Sequence, residues 1–254
     1  MKYWSETLLE KKRILITGAS SGIGRECAIA CSNLGAHIIL MGRDEKRLQE
    51  ALHSLSGTGH STIICDLTLV NSIKDHLAHL KSTEPISGFI HCAGIERTRP
   101  LKSFDSEDFA VMFNTNVTSA IELTRVISAL GYLEKNGASY VFISSVSGIN
   151  GEKGKLEYSS TKASLFALTK SLALELAVKH IRVNCISPAM VQTPMFKSIT
   201  DSLPEDSVNS IEAKHLFGFI EPSDVANLCI YLISDLSRKI TGSNIVIDSG
   251  YTLK

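Results

Sequence analysis

The chain has 254 residues, of which 44% are apolar, and its 26 basic and 26 acidic side chains leave a formal net charge of zero. This length and apolar content predict a single α/β domain over residues 1–254. The balanced charge excludes a broad basic surface for nucleic acid or for an anionic membrane, so we expect small molecules as binding partners.

The six cysteines lie mostly in apolar runs and include no C-x-x-C pair. This usage indicates buried free thiols in a reducing compartment, and no apolar run approaches the ~18 residues that span a bilayer. His76 and His79 have a spacing that could suit a metal, but no carboxylate or thiol cluster accompanies them, so we interpret them as a surface pair. The sequence therefore predicts a cytoplasmic protein with neither a disulfide nor a metal site.

The first predicted strand, Arg13 to Thr17, is followed directly by a glycine-rich turn and then by a helical pattern from Arg25 to about Leu34. In such a turn the glycines let the backbone approach a pyrophosphate, which the N–H groups and the dipole of the helix N-terminus bind. An ordinary strand-to-helix turn is the alternative. The pattern predicts a dinucleotide site that includes Gly18, Ser20, Ser21, Gly22, Ile23 and Gly24.

The second predicted strand, His37 to Met41, ends beside a basic residue. Gly42 takes the strand-end position where an NAD-selective site places a carboxylate, and Arg43, which could accept a 2′-phosphate, follows it. We predict that Asp44 is the N-cap of a helix from Glu45 to Leu55. This pattern favours NADP over NAD as the cofactor, and a solvated surface charge is the alternative role for Arg43.

Two further strands end in residues that suit a cofactor site. The third, His60 to Cys65, leads into Asp66 and Leu67. The carboxylate there could accept a hydrogen bond from an adenine amine, or it could cap the following helix, which we predict to about Ser82. The fourth strand, Gly88 to His91, is closed by small side chains that let the backbone approach a ligand. These closing residues are Cys92, Ala93 and Gly94.

A long helix is predicted from about Asp105 to Gly131, with Asn114 and Asn116 in its interior. Asparagine is a mediocre helix former, so its presence there calls for an explanation. Either side chain could serve a site, or it could simply face water.

The fifth strand, Tyr140 to Ile143, puts the Ser145 hydroxyl at its C-terminal end, where the active sites of open α/β sheets lie. A second long helix is predicted from about Glu157 to His180. In that helix Tyr158 and Lys162 are four residues apart and share one face, so the ammonium lies beside the phenol. We expect this cation to lower the pKa of Tyr158 from about 10 toward neutral, as a general acid requires.

The last part of the chain completes the alternation of strands and helices. A sixth strand, Arg182 to Ser187, ends at Pro188, and residues 190–220 mix apolar and charged side chains that predict a mobile flap over a substrate. A helix from Pro222 to about Ile233 and a strand from Asn244 to Asp248 follow. This order predicts a doubly wound parallel sheet of about seven strands with helices on both faces.

From about Arg13 to Asp248, the order and spacing of these motifs resemble those of the short-chain dehydrogenase/reductase family. The family's T-G-x-x-x-G-x-G pattern is met by Thr17, Gly18, Gly22 and Gly24, and its Y-x-x-x-K pattern is met by Tyr158 and Lys162. The chain departs from three further patterns. The family's N-N-A-G reads His91-Cys92-Ala93-Gly94, its P-G reads Pro188-Ala189, and its D-G-G reads Asp248-Ser249-Gly250. Loss of the first two Asn side chains would remove hydrogen bonds that brace the strand near the adenosine.

The resemblance implies a Rossmann-fold NAD(P)-dependent oxidoreductase that interconverts a carbonyl and a secondary alcohol, and we expect an NADPH-dependent ketone reductase. Tyr158 is then the residue that gives or takes the proton, and Ser145 orients the reacting oxygen. Lys162 biases the tyrosine and holds the nicotinamide ribose. Asn116, which fits the pattern better than Asn114, anchors a relay water. The implied cofactor contacts include Tyr158, Lys162, Asp66, Leu67, Pro188, Val191 and Thr193.

Other functions remain as alternatives. A dinucleotide-binding sensor or scaffold could keep the fold without turnover, whereas a nucleotide-sugar epimerase usually needs a longer C-terminal substrate domain. A 3-oxoacyl-carrier-protein reductase is possible, although residues 215–220 fit the usual pattern of that group poorly. The resemblance also implies a homotetramer or a homodimer, formed through the two long helices and the last strand.

Overall fold

The computed structural model describes residues 5–82, 84–129, 132–201 and 203–253. Its strands form one seven-stranded parallel sheet in the order β3-β2-β1-β4-β5-β6-β7, which confirms the predicted doubly wound architecture. The strands are β1 Arg13–Thr17, β2 His37–Gly42, β3 Ser61–Ile64, β4 Gly88–His91, β5 Ala138–Ile143, β6 Ile181–Pro188 and β7 Asn244–Ile247.

Helices cover both faces of this sheet. They are α1 Gly22–Asn33, α2 Glu45–His53, α3 Ile73–Leu77, α4 Ser106–Phe113, α5 Ser119–Ile127, α6 Leu156–Leu176, α7 Pro194–Thr200, α8 Glu205–Glu212 and α9 Pro222–Ile233. The apolar side chains of α1, α2 and α9 pack in one core cluster, and those of α3, α5 and α6 pack in another. No helix among the described residues is long and apolar enough to cross a membrane.

The sheet lies between the two core clusters and contributes side chains to both. Along β1, Ile14 and Ile16 face the cluster of α1 and α9, while Leu15 faces the cluster of α5 and α6. All six residues of β5 are buried. Continuous burial of this kind follows from the position of a central parallel strand that has helices on both sides.

The edge of the sheet formed by the carboxyl ends of the strands carries the site. β1 pairs with β2 on one side and with β4 on the other, so the strand order reverses between β1 and β4. Open α/β sheets bind ligands in the crevice at such a switch point. The segments that follow β1, β4, β5 and β6 therefore converge on one place.

Short capping interactions fix where several helices begin. The Asp44 side chain accepts a hydrogen bond from the N–H of Arg47 at 3.0 Å, which confirms the predicted N-cap of α2. At α9, Glu221 and Asp224 form a reciprocal capping box and Pro222 occupies the first turn.

The long helix predicted from Asp105 to Gly131 is present as an uninterrupted helical segment, but it is not α-helical throughout. It consists of α4, a π-helical turn over Asn114–Thr118, and α5, which ends at Ile127. Gly131 lies outside the described residues. A π turn inserts an extra residue into the helical ladder and changes which side chains face the sheet, an event that periodicity alone does not reveal.

Two other helix predictions differ in their extent. Between Asp66 and Ser82 only Ile73–Leu77 is α-helical, with 3-10 turns on either side. The second long helix ends at Leu176 and continues as a 3-10 turn to Lys179, because His180 adopts a left-handed backbone with φ of 56°. Residues 190–220, predicted as a flap, contain α7 and α8 and are joined at their ends by a bridge between Val191 and Ile220.

Candidate active site

The glycine-rich turn after β1 lies directly against the end of β4. Gly18 has φ of +63°, and a Cβ placed on it would lie 2.9 Å from the backbone N of Ala93. At Gly22 an added Cβ would lie 3.2 Å from Cγ2 of Thr193, so the loop after β6 covers the turn. Ser21, the N-cap of α1, forms no side-chain capping bond, and the first turn of α1 has no acidic residue. The first N–H groups of α1 are therefore available to an anion.

A buried histidine braces the end of β4. The Thr17 hydroxyl accepts the Ala93 N–H at 3.1 Å and forms a second hydrogen bond with Nδ1 of His91 at 3.0 Å, in which the tautomer of the imidazole decides the donor. Burial, together with the charge of Lys162, lowers the pKa of His91 to about 3, so the ring is neutral. His91 thus supplies a brace where the family pattern has an asparagine, and the loss expected from the sequence does not occur at this position.

Two hydrogen bonds join the end of β5 to α6. The Ser144 hydroxyl donates to the carbonyl of Lys162 at 2.7 Å, and Nζ of Lys162 donates to the carbonyl of Ile143 at 2.8 Å. Gly148 permits this close approach, because a Cβ there would lie 2.7 Å from the backbone N of Ala163. Ser145 is the N-cap of the 3-10 turn Val146–Gly148, and its hydroxyl accepts the N–H of Ser147 at 3.1 Å.

Tyr158 and Lys162 lie side by side on α6, as the four-residue spacing predicts. Nζ of Lys162 is 5.5 Å from the centroid of the Tyr158 ring. Burial raises the pKa of Tyr158 above its ordinary value; a hydrogen bond with Ser145 opposes this rise, and the charges of Glu96 and Glu152 add to it. The prediction that Lys162 lowers the pKa of Tyr158 is therefore wrong for the protein without bound ligands, because desolvation raises this pKa by more than the lysine charge lowers it.

Burial also acts on the lysine itself. Lys162 is 4% exposed, and desolvation lowers its pKa to about 8. Lys162 therefore loses its proton at a lower pH than it would in water, and its pKa lies close to the pH at which the protein would work.

Asn116 is fully buried in the π-helical turn and does not face water. Its Oδ1 accepts the N–H of Ile95 at 2.8 Å, and its Nδ2 donates to the Ile95 carbonyl and to the Thr161 hydroxyl, each at 3.0 Å. The side chain therefore joins the loop after β4 to the helix that carries Tyr158. Asn114, the competing residue, is only partly buried.

A cavity of about 480 Å³ opens above these residues, and several side chains predicted from the sequence line it together. Thr193 closes one side of the cavity as the N-cap of α7, where its hydroxyl accepts the N–H of Phe196 at 3.2 Å. The predicted residues that line the cavity are Ile23, Cys92, Gly94, Ser145, Tyr158, Lys162, Pro188, Val191 and Thr193.

The remaining predicted residues do not line this cavity. Asn116 is bonded to Ile95 and Thr161, and the glycine turn packs against Ala93 at the end of β4 and against Thr193. Ser20 and Ser21 belong to this turn. Arg43 is exposed at the end of β2, and its charge contributes to the lowered pKa of Asp66. The larger cause of that shift is hydrogen bonding from Thr68, whose N–H and hydroxyl donate to Oδ1 of Asp66. Leu67 is buried in the core beside this carboxylate.

Three charged residues that no sequence pattern singled out also line the cavity: Glu96, Glu152 and Lys155. Lys155 forms a close ion pair with Glu96, and its Nζ lies 6.0 Å from the centroid of the Tyr158 ring. Glu96 follows β4, whereas the other two precede α6, so only the folded chain brings them together. Their spacing in the sequence carried no signal.

Comparison with known proteins agrees with this geometry. The family model described as Enoyl-(Acyl carrier protein) reductase matches residues 18–252. A 3-oxoacyl-(acyl-carrier-protein) reductase of Thermotoga maritima is 31% identical over 96% of this chain and 99% of its own length. The dehydrogenase/reductase SDR family member 6 of Rattus norvegicus is also 31% identical, with the same coverage of 96% and 99%.

Solved structures show the same fold. A short chain dehydrogenase/reductase family protein superposes with a TM-score of 0.85 at 28% identity, covering 96% of this chain and 99% of that one. An actinorhodin polyketide ketoreductase solved with NADPH superposes with a TM-score of 0.88 at 27% identity, covering 94% and 97%. The chain therefore belongs to the short-chain dehydrogenase/reductase family, and it is an NAD(P)-dependent oxidoreductase that interconverts carbonyl groups and alcohols.

Proposed function

We propose that the protein reduces ketones with NADPH, and that Ser145, Tyr158, Lys162 and Asn116 perform the chemistry. One observation carries this proposal: the side chains of Ser145, Tyr158 and Lys162 line one cavity, the Ser145 hydroxyl lies near enough to Tyr158 to act on its pKa, and the Lys162 ammonium lies beside the phenol. A carbonyl oxygen placed between the two hydroxyls would accept a hydrogen bond from each of them. This is the arrangement that general acid catalysis of carbonyl reduction requires.

The residues present fit a dinucleotide. The turn at Gly18 and Gly22 has no room for a side chain, and the uncapped N-terminus of α1 offers N–H donors to a pyrophosphate. Gly94, Pro188 and Val191 line the adjoining part of the cavity, where the nicotinamide would lie. Asp66 is placed to accept from the adenine amine, and Lys162 would hold the nicotinamide ribose.

In the proposed reaction a ketone, NADPH and a proton give a secondary alcohol and NADP. The cofactor supplies the hydride to the carbonyl carbon. Tyr158 donates its hydroxyl proton to the carbonyl oxygen while Ser145 stabilises the negative charge that develops there. Lys162 then stabilises the phenolate of Tyr158 until solvent returns a proton to it, and Asn116 holds the loop and helix on either side.

The raised pKa of Tyr158 supports the direction of this reaction. Because burial keeps the phenol protonated at neutral pH, the side chain is ready to donate a proton to a ketone. Oxidation of an alcohol would need the phenolate as a base, which burial disfavours. A phenol that is protonated at neutral pH therefore supports the proposed role of Tyr158 as the acid in ketone reduction.

The end of β2 supports NADPH over NADH. Arg43 is exposed where the 2′-phosphate would lie, and Gly42 offers no carboxylate to a ribose hydroxyl. Asp44, the nearest carboxylate, is already bonded to the N–H of Arg47 as the N-cap of α2. The comparisons include one ketoreductase solved with NADPH, which is consistent with this choice.

The test is NADPH and NADH oxidation against a ketone, an aldehyde, a keto-sugar and a 3-oxoacyl thioester. We expect turnover of ketones with a preference for NADPH. Arg43→Ala should lower kcat/KM for NADPH by about 10- to 100-fold, since it removes a charge-assisted contact, and should leave that for NADH unchanged. Arg238→Ala, an exposed change next to α9, is the control. A preference for NADH that Arg43→Ala does not alter would contradict the cofactor assignment.

The relatives reported above are named as reductases or dehydrogenases, which does not favour a catalytically silent sensor or scaffold.

We further propose that copies of the chain associate through α4, α5 and α6. Large apolar side chains are exposed on these helices and support a symmetric contact: Val111, Ile121, Leu174 and, after α6, Val178. The cytoplasm remains the expected compartment, on the ground that five of the six free cysteines are buried.

A further inference from the structure

The segment between Ser145 and Tyr158 brings a carboxylate into the cavity. Glu152 lines the cavity, and its Oε1 accepts a hydrogen bond from the Ser147 hydroxyl at 3.2 Å. Its negative charge is one of the causes that raise the pKa of both Tyr158 and Tyr251. Glu152 therefore lies near enough to the proton donor Tyr158 and to Tyr251, which also lines the cavity, for its charge to act on both phenols.

The other charged side chains on this side of the cavity have partners of opposite sign. Lys155 forms its ion pair with Glu96, which also accepts from the Thr98 hydroxyl at 2.8 Å. Arg97 forms an ion pair with Asp108. In the part of the chain that the structure describes, no Lys, Arg or His side chain forms an ion pair with Glu152. The Glu152 carboxylate therefore has no ion-pair partner of its own, although the Lys162 ammonium beside Tyr158 lines the same cavity.

Apolar side chains also line this cavity. They come from the loop after β6, from α7 and α8 and from the turn between those helices: Met190, Met195, Phe196, Ile199, Leu203 and Ile211. Glu152 is half-buried, and the Ser147 hydroxyl alone does not satisfy its two oxygens. A ligand that fills the cavity would displace water from Glu152, so a cationic group on that ligand would restore both a hydrogen bond and a counter-charge.

We propose that the substrates are ketones that carry a protonated amine, and that Glu152 binds the ammonium group while the carbonyl lies between Ser145 and Tyr158. This inference rests on the proposed ketone reduction and names its substrate class. The same carboxylate repels a substrate with an anionic group at that position. A neutral hydroxyl would offer Glu152 a hydrogen bond but no charge, so neutral polyol ketones should be weaker substrates.

The test compares three ketones of one shape with NADPH at neutral pH: N-methylpiperidinone, methylcyclohexanone and oxocyclohexanecarboxylate, each with its substituent opposite the ketone. We expect kcat/KM for the cationic ketone to exceed that for the neutral one by about 10- to 100-fold, as for one charge-assisted hydrogen bond. The anionic ketone should be the poorest substrate. Glu152→Gln should remove the preference, so that kcat/KM becomes similar for the cationic and the neutral ketone, whereas Glu50→Gln, an exposed change on α2, should alter none of the three values.

A second readout separates this inference from the proposed reaction. Calorimetry measures binding of N-methylhydroxypiperidine and of methylcyclohexanol to the wild-type protein and to Glu152→Gln, with no turnover required. A preference for the cationic alcohol that disappears in Glu152→Gln supports the inference even if no ketone is reduced, and in that case only the proposed reaction fails. Equal binding of the two alcohols, or a preference that survives in Glu152→Gln, overturns the inference whatever the enzyme reduces.

Discussion

At the level of single residues, the electrostatics of the site are set by burial as much as by the partners that the sequence supplies. The spacing of Tyr158 and Lys162 correctly predicts that they are neighbours on α6, but it carries no information on desolvation. Glu96, from the loop after β4, and Glu152, from the segment before α6, also raise the pKa of Tyr158. The result is a phenol that stays protonated beside an ammonium whose pKa lies near 8.

The pH dependence of ketone reduction should report on Lys162. Its pKa is lowered to about 8, so the ammonium is present below that pH and is lost as the pH rises through it. We expect kcat/KM measured with saturating NADPH to be constant below about pH 7 and to fall above about pH 8, because neutral Lys162 no longer stabilises the phenolate. A profile that stays flat to pH 10 would show that this charge plays no part in the rate.

At the level of elements, the strands and the glycine turn could be predicted because their signals are local. Short apolar runs, some of them followed by a glycine, predict β1, β2, β4 and β5 with bounds within one or two residues of those in the structure. The π turn over Asn114–Thr118 could not be predicted, because an added residue in a helix leaves no mark in composition. The two helices between residues 190 and 220 were not predicted because they have only 7 and 8 residues, too few turns for a helical period to stand out in the sequence.

We expect the π turn to affect stability and turnover mainly through the hydrogen bonds of Asn116. Asn116→Ala removes three buried hydrogen bonds to Ile95 and Thr161, so we expect the free energy of unfolding to fall by about 2–4 kcal/mol. The turnover number should fall as well, because Thr161 lies between Tyr158 and Lys162 in α6. Urea denaturation and steady-state kinetics measure the two effects. Asn114→Ala, in the same turn but only partly buried, is the control, and equal losses in both variants would contradict the role of Asn116.

At the level of the whole molecule, the parallel doubly wound sheet followed from the alternation of elements, whereas the composition of the cavity did not. The strand order brings the loop after β4 next to the segment that precedes α6, and this contact creates the Glu96–Lys155 ion pair. Residues that meet only through such long-range packing have no common motif. The residues that line the substrate cavity are therefore known from the structure and could not be predicted from the sequence.

The exposed apolar residues on α4, α5 and α6 predict self-association. Leu174 is 81% exposed on α6, and a charge in its place should be unfavourable inside a contact between copies. We expect wild-type protein to be a dimer or a tetramer in light scattering and Leu174→Asp to shift toward a smaller species. Leu69→Asp, at a residue that is 62% exposed but outside these helices, should not change the mass. A monomeric wild type would rule out the contact.

Tyr158→Phe tests whether Tyr158 is the proton donor of a ketone reductase. We expect this variant still to bind NADPH, whereas kcat for ketone reduction falls by about 10²- to 10⁴-fold, the contribution of a positioned general acid. Tyr251→Phe, which removes another hydroxyl from the lining of the same cavity, should retain most of the activity. Turnover by Tyr158→Phe at the wild-type rate would show that Tyr158 is not the proton donor.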